Sequence, residues 1–379
     1  MRKLRPGSRI CLNLSQNDSS FCVALSAALS VAGWLLAEHI LNLLRTPQAI
    51  HADALVYLRI SFLGMPIATM GIMTTMGLRG VGDARTPLYS MILTTVLTAL
   101  LNPVFILGWG PIPAMGIAGS ALAGLVGGAI GAGWLITVLY SRDLPLRLRG
   151  AEVGYLVPKG EELAYVAGKG LPMGGTMMIN TLSAAIMFNL VNREGMVMSA
   201  AYSAVLQIWN YVQMPAFATS MAVSAMVAQN VGAGQHHRVG AITRAGVWAN
   251  TAVTIVLTAA ILLFDVPLLA LFLGTGSAAI PEAEHIQDLA TAAWVLSGVM
   301  MVHSGTLRAC GVIILPLLIV ITSHYFARLG FYFVFYDALG ADALWLSYPF
   351  GSLVGMVLMW WAYARGPWRK ELGRKGITG

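Results

Sequence analysis

Apolar residues in this chain run in long, nearly unbroken stretches, and the polar residues collect in short seams between them. That pattern is not the striped one of a soluble helix, which alternates faces at three-to-four spacing. A helix that crosses a bilayer needs about 20 mostly apolar residues. Stretches of that kind fall at 21–44, 55–78, 88–109, 115–140, 165–190, 198–226, 240–264, 286–307, 312–336 and 342–364. They predict an all-α, polytopic membrane protein of about ten transmembrane helices.

The seams repeat. Leu78, Arg79, Gly80, Val81, Gly82, Asp83, Ala84, Arg85, Thr86, Pro87 is echoed by Leu307, Arg308, Ala309, Cys310, Gly311, Val312, Ile313, Ile314, Leu315, Pro316, with Leu-Arg, Gly and Pro at the same spacing. Ala114-Met115-Gly116 returns as Ala338-Leu339-Gly340, again one apolar stretch later. A duplication at this period predicts two lobes related as parallel repeats, an organisation common in secondary transporters. The expected domains are a basic N-terminal segment 1–20, a first lobe 21–140 of four helices, a linker 141–164, a second lobe 165–366 of six helices and a basic tail 367–379. The lobes are unequal: Arg79 has 79 − 1 = 78 residues before it, whereas Arg308 lies 308 − 170 = 138 residues after Gly170. That difference corresponds to roughly two helices with a loop.

With both termini placed in the cytoplasm, the basic residues Arg2, Lys3, Arg5, Arg9, Arg79, Arg85, Arg142, Arg147, Arg149, Lys159, Arg238, Arg244, Arg308, Arg365, Arg369, Lys370, Arg374 and Lys375 fall on that side. Arg45 and Arg193 fall on the other. This bias is the positive-inside signature. The net charge of +7 therefore reads as a topology signal toward anionic lipid and not toward nucleic acid. Composition agrees: 57% hydrophobic against 10% charged residues leaves too little charge to cover a soluble surface. Cys11, Cys22 and Cys310 have neither disulfide nor metal spacing. No cleavage site follows the first apolar run, so a removed signal peptide is not expected. Nucleophile constellations, phosphate-cradling loops and HExxH are absent from the sequence, which argues against an enzyme and against an organic or metal cofactor. The Gly-x-Gly-Asp at Gly80 to Asp83 and the pair Tyr336-Asp337 resemble an aspartyl protease pattern, but the assigned topology puts Asp83 and Asp337 at opposite membrane faces, about 30 Å apart, too far to share a proton.

Several polar residues inside the apolar stretches are candidates for chemistry. Gln207, Asn210 and Gln213 are three apart and share one helix face, which must meet either a water-filled cleft or another helix. Trp209, Tyr211, Met214 and Phe217 lie beside them, and adaptable side chains of this kind suit varied ligands. Arg328 lies deep in the stretch 312–336 with His324 one turn before it. A buried membrane arginine needs a partner or water, and a histidine there is either a proton carrier or a helix-bridging hydrogen bonder. Arg79, Gly80, Gly82, Asp83 and Pro87, with Arg308, Gly311 and Pro316 in the second copy, form a cytoplasmic turn signature that either fixes topology and packing or gates the helices. Pro66, Pro172 and Pro215 interrupt helices as kinks or hinges.

The phrase Leu78 to Pro87 resembles the loop signature of the multidrug and toxic compound extrusion (MATE) family. Arg59-Ile60 with Gly64-x-Pro66, Asn102-Pro103, Gly116-Ile117-Ala118-Gly119-Ser120-Ala121, Gly170-Leu171-Pro172 and Gln229-Asn230-Val231-Gly232-Ala233-Gly234 follow in the family's order. The resemblance covers about residues 25–370 and implies two six-helix lobes that export small organic, cationic compounds by alternating access in exchange for H+ or Na+. The family's first two helices find no counterpart, leaving a 4+6 pattern. At positions where the resemblance implies coupling carboxylates stand Asn102, Asn180 and Ser297, with Thr98 one turn before Asn102. Their neutral oxygens offer a weak sodium shell or interhelical hydrogen bonds. The rival readings are a lipid-linked oligosaccharide flippase, for which only Arg59 and Arg328 are available as cavity cations, and a short chain that inserts without transporting.

Overall fold

The computed structural model describes residues 6–43, 48–80, 82–109, 113–142 and 160–366. Most of the linker 141–164, the tail 367–379 and Val81 of the turn signature lie outside the described residues. Among the described residues every regular element is helical, as required when the surrounding medium cannot hydrogen-bond the backbone. The helices are α1 (Pro6–Leu43), α2 (Gln48–Gly80), α3 (Arg85–Leu107), α4 (Gly116–Ser141), α5 (Gly160–Arg193), α6 (Met196–Gly232), α7 (Val239–Leu263), α8 (Asp265–Leu273), α9 (Ile280–Ala290), α10 (Ala293–Ala309), α11 (Ile314–Ile321), α12 (Gly330–Leu339) and α13 (Asp342–Ala364), with a π-helical segment Thr322–Leu329 joining α11 to α12.

Among the described residues, eight segments are long and apolar enough to cross a membrane: Cys22–Asn42, His51–Gly80, Arg85–Leu107, Gly116–Ser141, Gly170–Arg193, His236–Leu263, Ile314–Leu339 and Asp342–Ala364. Of the ten expected stretches, two fall outside this set. The stretch 286–307 is broken at Thr291 and Ala292 into α9 and α10, and α10 has 17 residues. The 37-residue α6 is long enough but is diluted by its polar stripe. Residues 6–20, expected to precede the first helix, continue it instead. Side chains such as Val31, Leu100, Leu107 and Leu171 are exposed. Hydrocarbon tails solvate such a surface as well as a core would.

The chain forms two compact units, Met1–Ala167 and Gly168–Gly379. In the first, Ser30 Oγ donates to the Phe62 carbonyl at 2.6 Å, tying α1 to α2. Leu78, Leu135 and Leu139 form its buried apolar centre. In the second, one core gathers Tyr202, Trp209, Ile286, Leu344, Trp345 and Tyr348 from α6, α9 and α13, and another gathers Val223, Val302, Leu307, Val320 and Met359 from α6, α10, α11 and α13.

Candidate functional site

The repeated phrase folds the same way twice. After α2 the Gly82 N–H reaches the Arg79 carbonyl at 3.1 Å and the Asp83 N–H reaches Leu78 at 2.9 Å. After α10 the Gly311 N–H reaches Arg308 and the Val312 N–H reaches Leu307, both at 2.9 Å. This is the paired-bond helix stop that needs a left-handed residue, and Gly82 and Gly311 have φ of 92° and 95°. Leu78 and Leu307 are both fully buried, and Pro87 and Pro316 are buried too. Gly80, by contrast, faces open space.

The copies differ in how the next helix begins. The Asp83 carboxylate accepts the N–H groups of Arg85 and Thr86, each at 3.0 Å, and the Thr86 hydroxyl at 2.6 Å, so it caps the first turn of α3. The second copy has Val312 there. The Thr86 hydroxyl holds the Asp83 carboxyl below its ordinary value of 3.8; burial opposes this, and the Thr86 and Arg85 amides and the charge of Arg142 reinforce it. Asp83→Ala is expected to destabilise the protein by about 1 kcal/mol. Because the folded-state pKa is depressed, that contribution is fully present above the unfolded value of 3.8 and is lost as pH falls through the folded value. Melting curves of both proteins in detergent should differ at neutral pH and converge in acid.

Beyond the turns, each copy packs a helix pair through small residues. A Cβ placed at Gly131 of α4 would overlap Thr94 Oγ1 of α3, and one at Gly127 would overlap Thr98 Oγ1. Ser90 Oγ donates to the Gly131 carbonyl at 3.2 Å. In the second unit, a Cβ at Gly355 of α13 would lie 2.7 Å from Ser323 Oγ, and one at Gly351 would lie 3.1 Å from Arg328 Cβ. Ser323 Oγ donates to the Gly351 carbonyl at 2.8 Å. The glycines correspond at a constant offset, 351 − 127 = 355 − 131 = 224. Their partners do not: 323 − 94 = 229, but 328 − 98 = 230. The extra residue is the one that the π segment inserts. Arg328 therefore occupies, in the second unit, the packing position that Thr98 holds in the first.

Asn102, one turn beyond Thr98, has its side-chain oxygen sealed from solvent with no hydrogen-bond partner. Arg328 is 9% exposed, and its guanidinium carbon sits 4.1 Å from the centroid of the Tyr348 ring. Its Nε is sealed and unpartnered. The Tyr348 and Tyr202 hydroxyls are hydrogen-bonded to each other. Trp209 packs against Tyr348 and Trp294 at centroid distances of 5.1 and 5.7 Å, and its indole N–H donates to Thr291 Oγ1 at 3.0 Å. His324 Nδ1 lies 3.1 Å from the Val320 carbonyl oxygen of its own helix. Ser297 Oγ pairs with Ser352 Oγ at 2.9 Å. Arg59 likewise rests on an aromatic face, 4.8 Å from the Trp34 ring centroid, with its Nε sealed.

Gln207 and Asn210 are exposed and Gln213 half-buried, on the side of α6 opposite Val205, Ile208, Trp209 and Val212, which are buried. Tyr211, Met214 and Phe217 flank them, also exposed. Asn180 is exposed on α5. A polar stripe not anticipated from the sequence lies on α7. Thr243, Asn250, Thr254 and Thr258 are buried, Thr243 Oγ1 meets Thr306 Oγ1 at 3.0 Å and Asn250 Nδ2 donates to the Gly298 carbonyl at 3.0 Å, lacing α7 to α10. Its mostly four-residue spacing was the available signal.

The MatE family model matches residues 19–104 and 172–334. The probable multidrug resistance protein YoeA of Bacillus subtilis (strain 168) is 33% identical over 355 residues, 93% of this chain and 76% of that protein. The chain belongs to the MATE family. The probable multidrug resistance protein YpnP of the same organism is 29% identical over 346 residues, covering 91% of this chain and 75% of its own. A MATE protein crystallised in complex with MaD5 shares the fold at a TM-score of 0.85 and 18% identity, over 96% of this chain and 81% of that one. This MATE chain is thus a multi-pass membrane protein from a family of transporters. The matched segments carry Thr98 and Asn102 in the first unit, and Asn180, the α6 stripe and Arg328 in the second.

Proposed function

We propose that the chain is a secondary antiporter that exports organic amphiphiles across the cytoplasmic membrane by alternating access, in exchange for protons or sodium ions. The observation that carries this reading is the face of α6 bearing Gln207, Asn210 and Gln213. By length, α6 spans roughly 55 Å at 1.5 Å per residue, well beyond a bilayer core of about 30 Å. Amides in hydrocarbon are costly unless hydrated or paired, and these three turn away from their own unit's core. Flanked by Tyr211, Met214 and Phe217, they make a surface that can hold apolar bodies of varied shape and read their polar groups.

Coupling is assigned to the neutral oxygens of Thr98 and Asn102, because hard cations accept hydroxyl and carbonyl ligands and the Asn102 oxygen is buried without a partner. The basic residues of the loops support cytoplasmic termini and contact with anionic lipid. The relatives named as probable multidrug resistance proteins favour drugs over lipid-linked oligosaccharide. So does the shortage of cavity cations, for which Arg59 and Arg328 are the two candidates. Pump-deficient bacteria expressing the chain are expected to accumulate less of a fluorescent lipophilic dye than cells with empty vector. The difference should vanish when an ionophore collapses the proton and sodium gradients, and should shrink severalfold when Gln207, Asn210 and Gln213 are all changed to leucine. Equal accumulation in both strains, with the protein present in the membrane fraction, would refute the proposal.

A further inference from the structure

The buried interior of the second unit has more hydrogen-bond donors than acceptors. Among its described residues, Arg328 Nε, Trp294 Nε1, Trp345 Nε1 and Gln287 Nε2 are sealed, unpartnered donors, set against the amide oxygens of Gln287 and Asn250 as sealed, unpartnered acceptors and the hydroxyls of Ser183 and Thr258, which can act as either. The arginine and the tryptophans are linked by ring contacts: Arg328 lies on Tyr348, Tyr348 and Trp294 pack on Trp209, and Trp345 packs on Tyr202 at 5.5 Å. In the Tyr202 and Tyr348 pair one hydroxyl donates to the other, which leaves the second proton free. Gln287 lies one turn before Thr291 on α9, on the face that meets Trp209. No carboxylate among the described residues pairs with Arg328. A largely buried guanidinium whose sealed Nε has an aromatic face beside it but no acceptor is an incomplete ion pair. The π insertion that replaces the small Thr98 position with this arginine is the kind of irregularity that accompanies functional sites.

We propose that Arg328 is a binding site for an oxyanion, the carboxylate or phosphate of a transported amphiphile. The planar fork of arginine matches two oxygens at once, which a chloride ion does not exploit. The inference rests on the transport reading above and narrows its substrate class, against the cationic preference that the resemblance implies.

Purified full-length protein in detergent is titrated with pyrenebutyrate, and separately with its uncharged methyl ester, following energy transfer from tryptophan to pyrene. Wild type should bind the acid more tightly than the ester by roughly tenfold or more, the worth of a hydrogen bond to a charged group. Arg328→Gln should erase that preference while leaving ester binding within about twofold. Arg328→Lys, which keeps the charge without the fork, should retain part of it, and it carries the test if the glutamine variant does not fold. Acid and ester binding equally to wild type, or an acid preference that survives in either folded variant undiminished, would overturn the site. Displacement of the probe by chloride as readily as by unlabelled butyrate would overturn the assignment to an oxyanion. Resting protein that binds the acid in an Arg328-dependent way yet exports no dye would refute the transport reading alone. Dye export without such binding would refute this inference alone.

Discussion

Gly119→Val is expected to leave little folded protein. A Cβ at Gly119 would lie 2.5 Å from the Phe105 carbonyl carbon and 2.9 Å from the Ile106 nitrogen, so the obstacle is the backbone at the end of α3 and not a side chain able to rotate away. The Met115 N–H donates to the Phe105 carbonyl at 3.0 Å, holding α4 against α3 at that point. Overpacking against side chains costs about 1–3 kcal/mol; against backbone, with two more carbons to place, the cost should be at least ~3 kcal/mol, a large part of the 5–15 kcal/mol typical of folded proteins. Gly124 lies on the same helix with nothing near its Cβ position. Gly124→Ala should be within about 0.5 kcal/mol of wild type. Monodisperse yield by size exclusion and the melting temperature in detergent measure both; equal behaviour of the two variants would contradict the α3 and α4 packing.

Trp209→Ala should destabilise the second unit by about 3–5 kcal/mol, the usual cost of emptying a large aromatic site. Trp209 is 1% exposed, touches Tyr202, Trp294 and Tyr348, and donates to Thr291 at the break between α9 and α10. Membrane burial does not weaken the expectation, since lost packing contacts count whether the surroundings are water or lipid. Trp209→Phe keeps most of the ring but leaves the Thr291 hydroxyl without its donor, costing about 1 kcal/mol from the hydrogen bond. Thermal unfolding of the purified variants should therefore rank wild type, phenylalanine, then alanine, with the wide gap before alanine.

Helices of this kind are legible because lipid demands one thing of them, an apolar run of a given length, and the runs are printed directly in the sequence. The turns at Gly82 and Gly311 are legible for a related reason: a left-handed backbone and a following proline leave few residue choices. The break at Thr291 and Ala292 was not, because no proline or glycine marks it. The π segment was less visible still. One inserted residue changes neither composition nor length noticeably, and it emerges from the repeat only when the crossing glycines, offset by 224, are set beside partners offset by 229 and then 230. That single residue turns His324 and Arg328, expected one α-helical turn apart, into neighbours on a wider turn. Asn180, a cation-ligand candidate by the resemblance, is exposed on α5. Arg328 stands out in the sequence by its depth, because a charge in hydrocarbon is kept only where something requires it.

Gradient-driven movement of an organic dye by the purified chain decides whether this arrangement transports. Protein reconstituted into dye-loaded liposomes should release dye when a proton or sodium gradient is imposed and should stop when an ionophore dissipates it, with the Gln207, Asn210 and Gln213 triple leucine variant slowed severalfold. Release at the same rate with and without the gradient, or no faster than from protein-free liposomes, would contradict the proposed function.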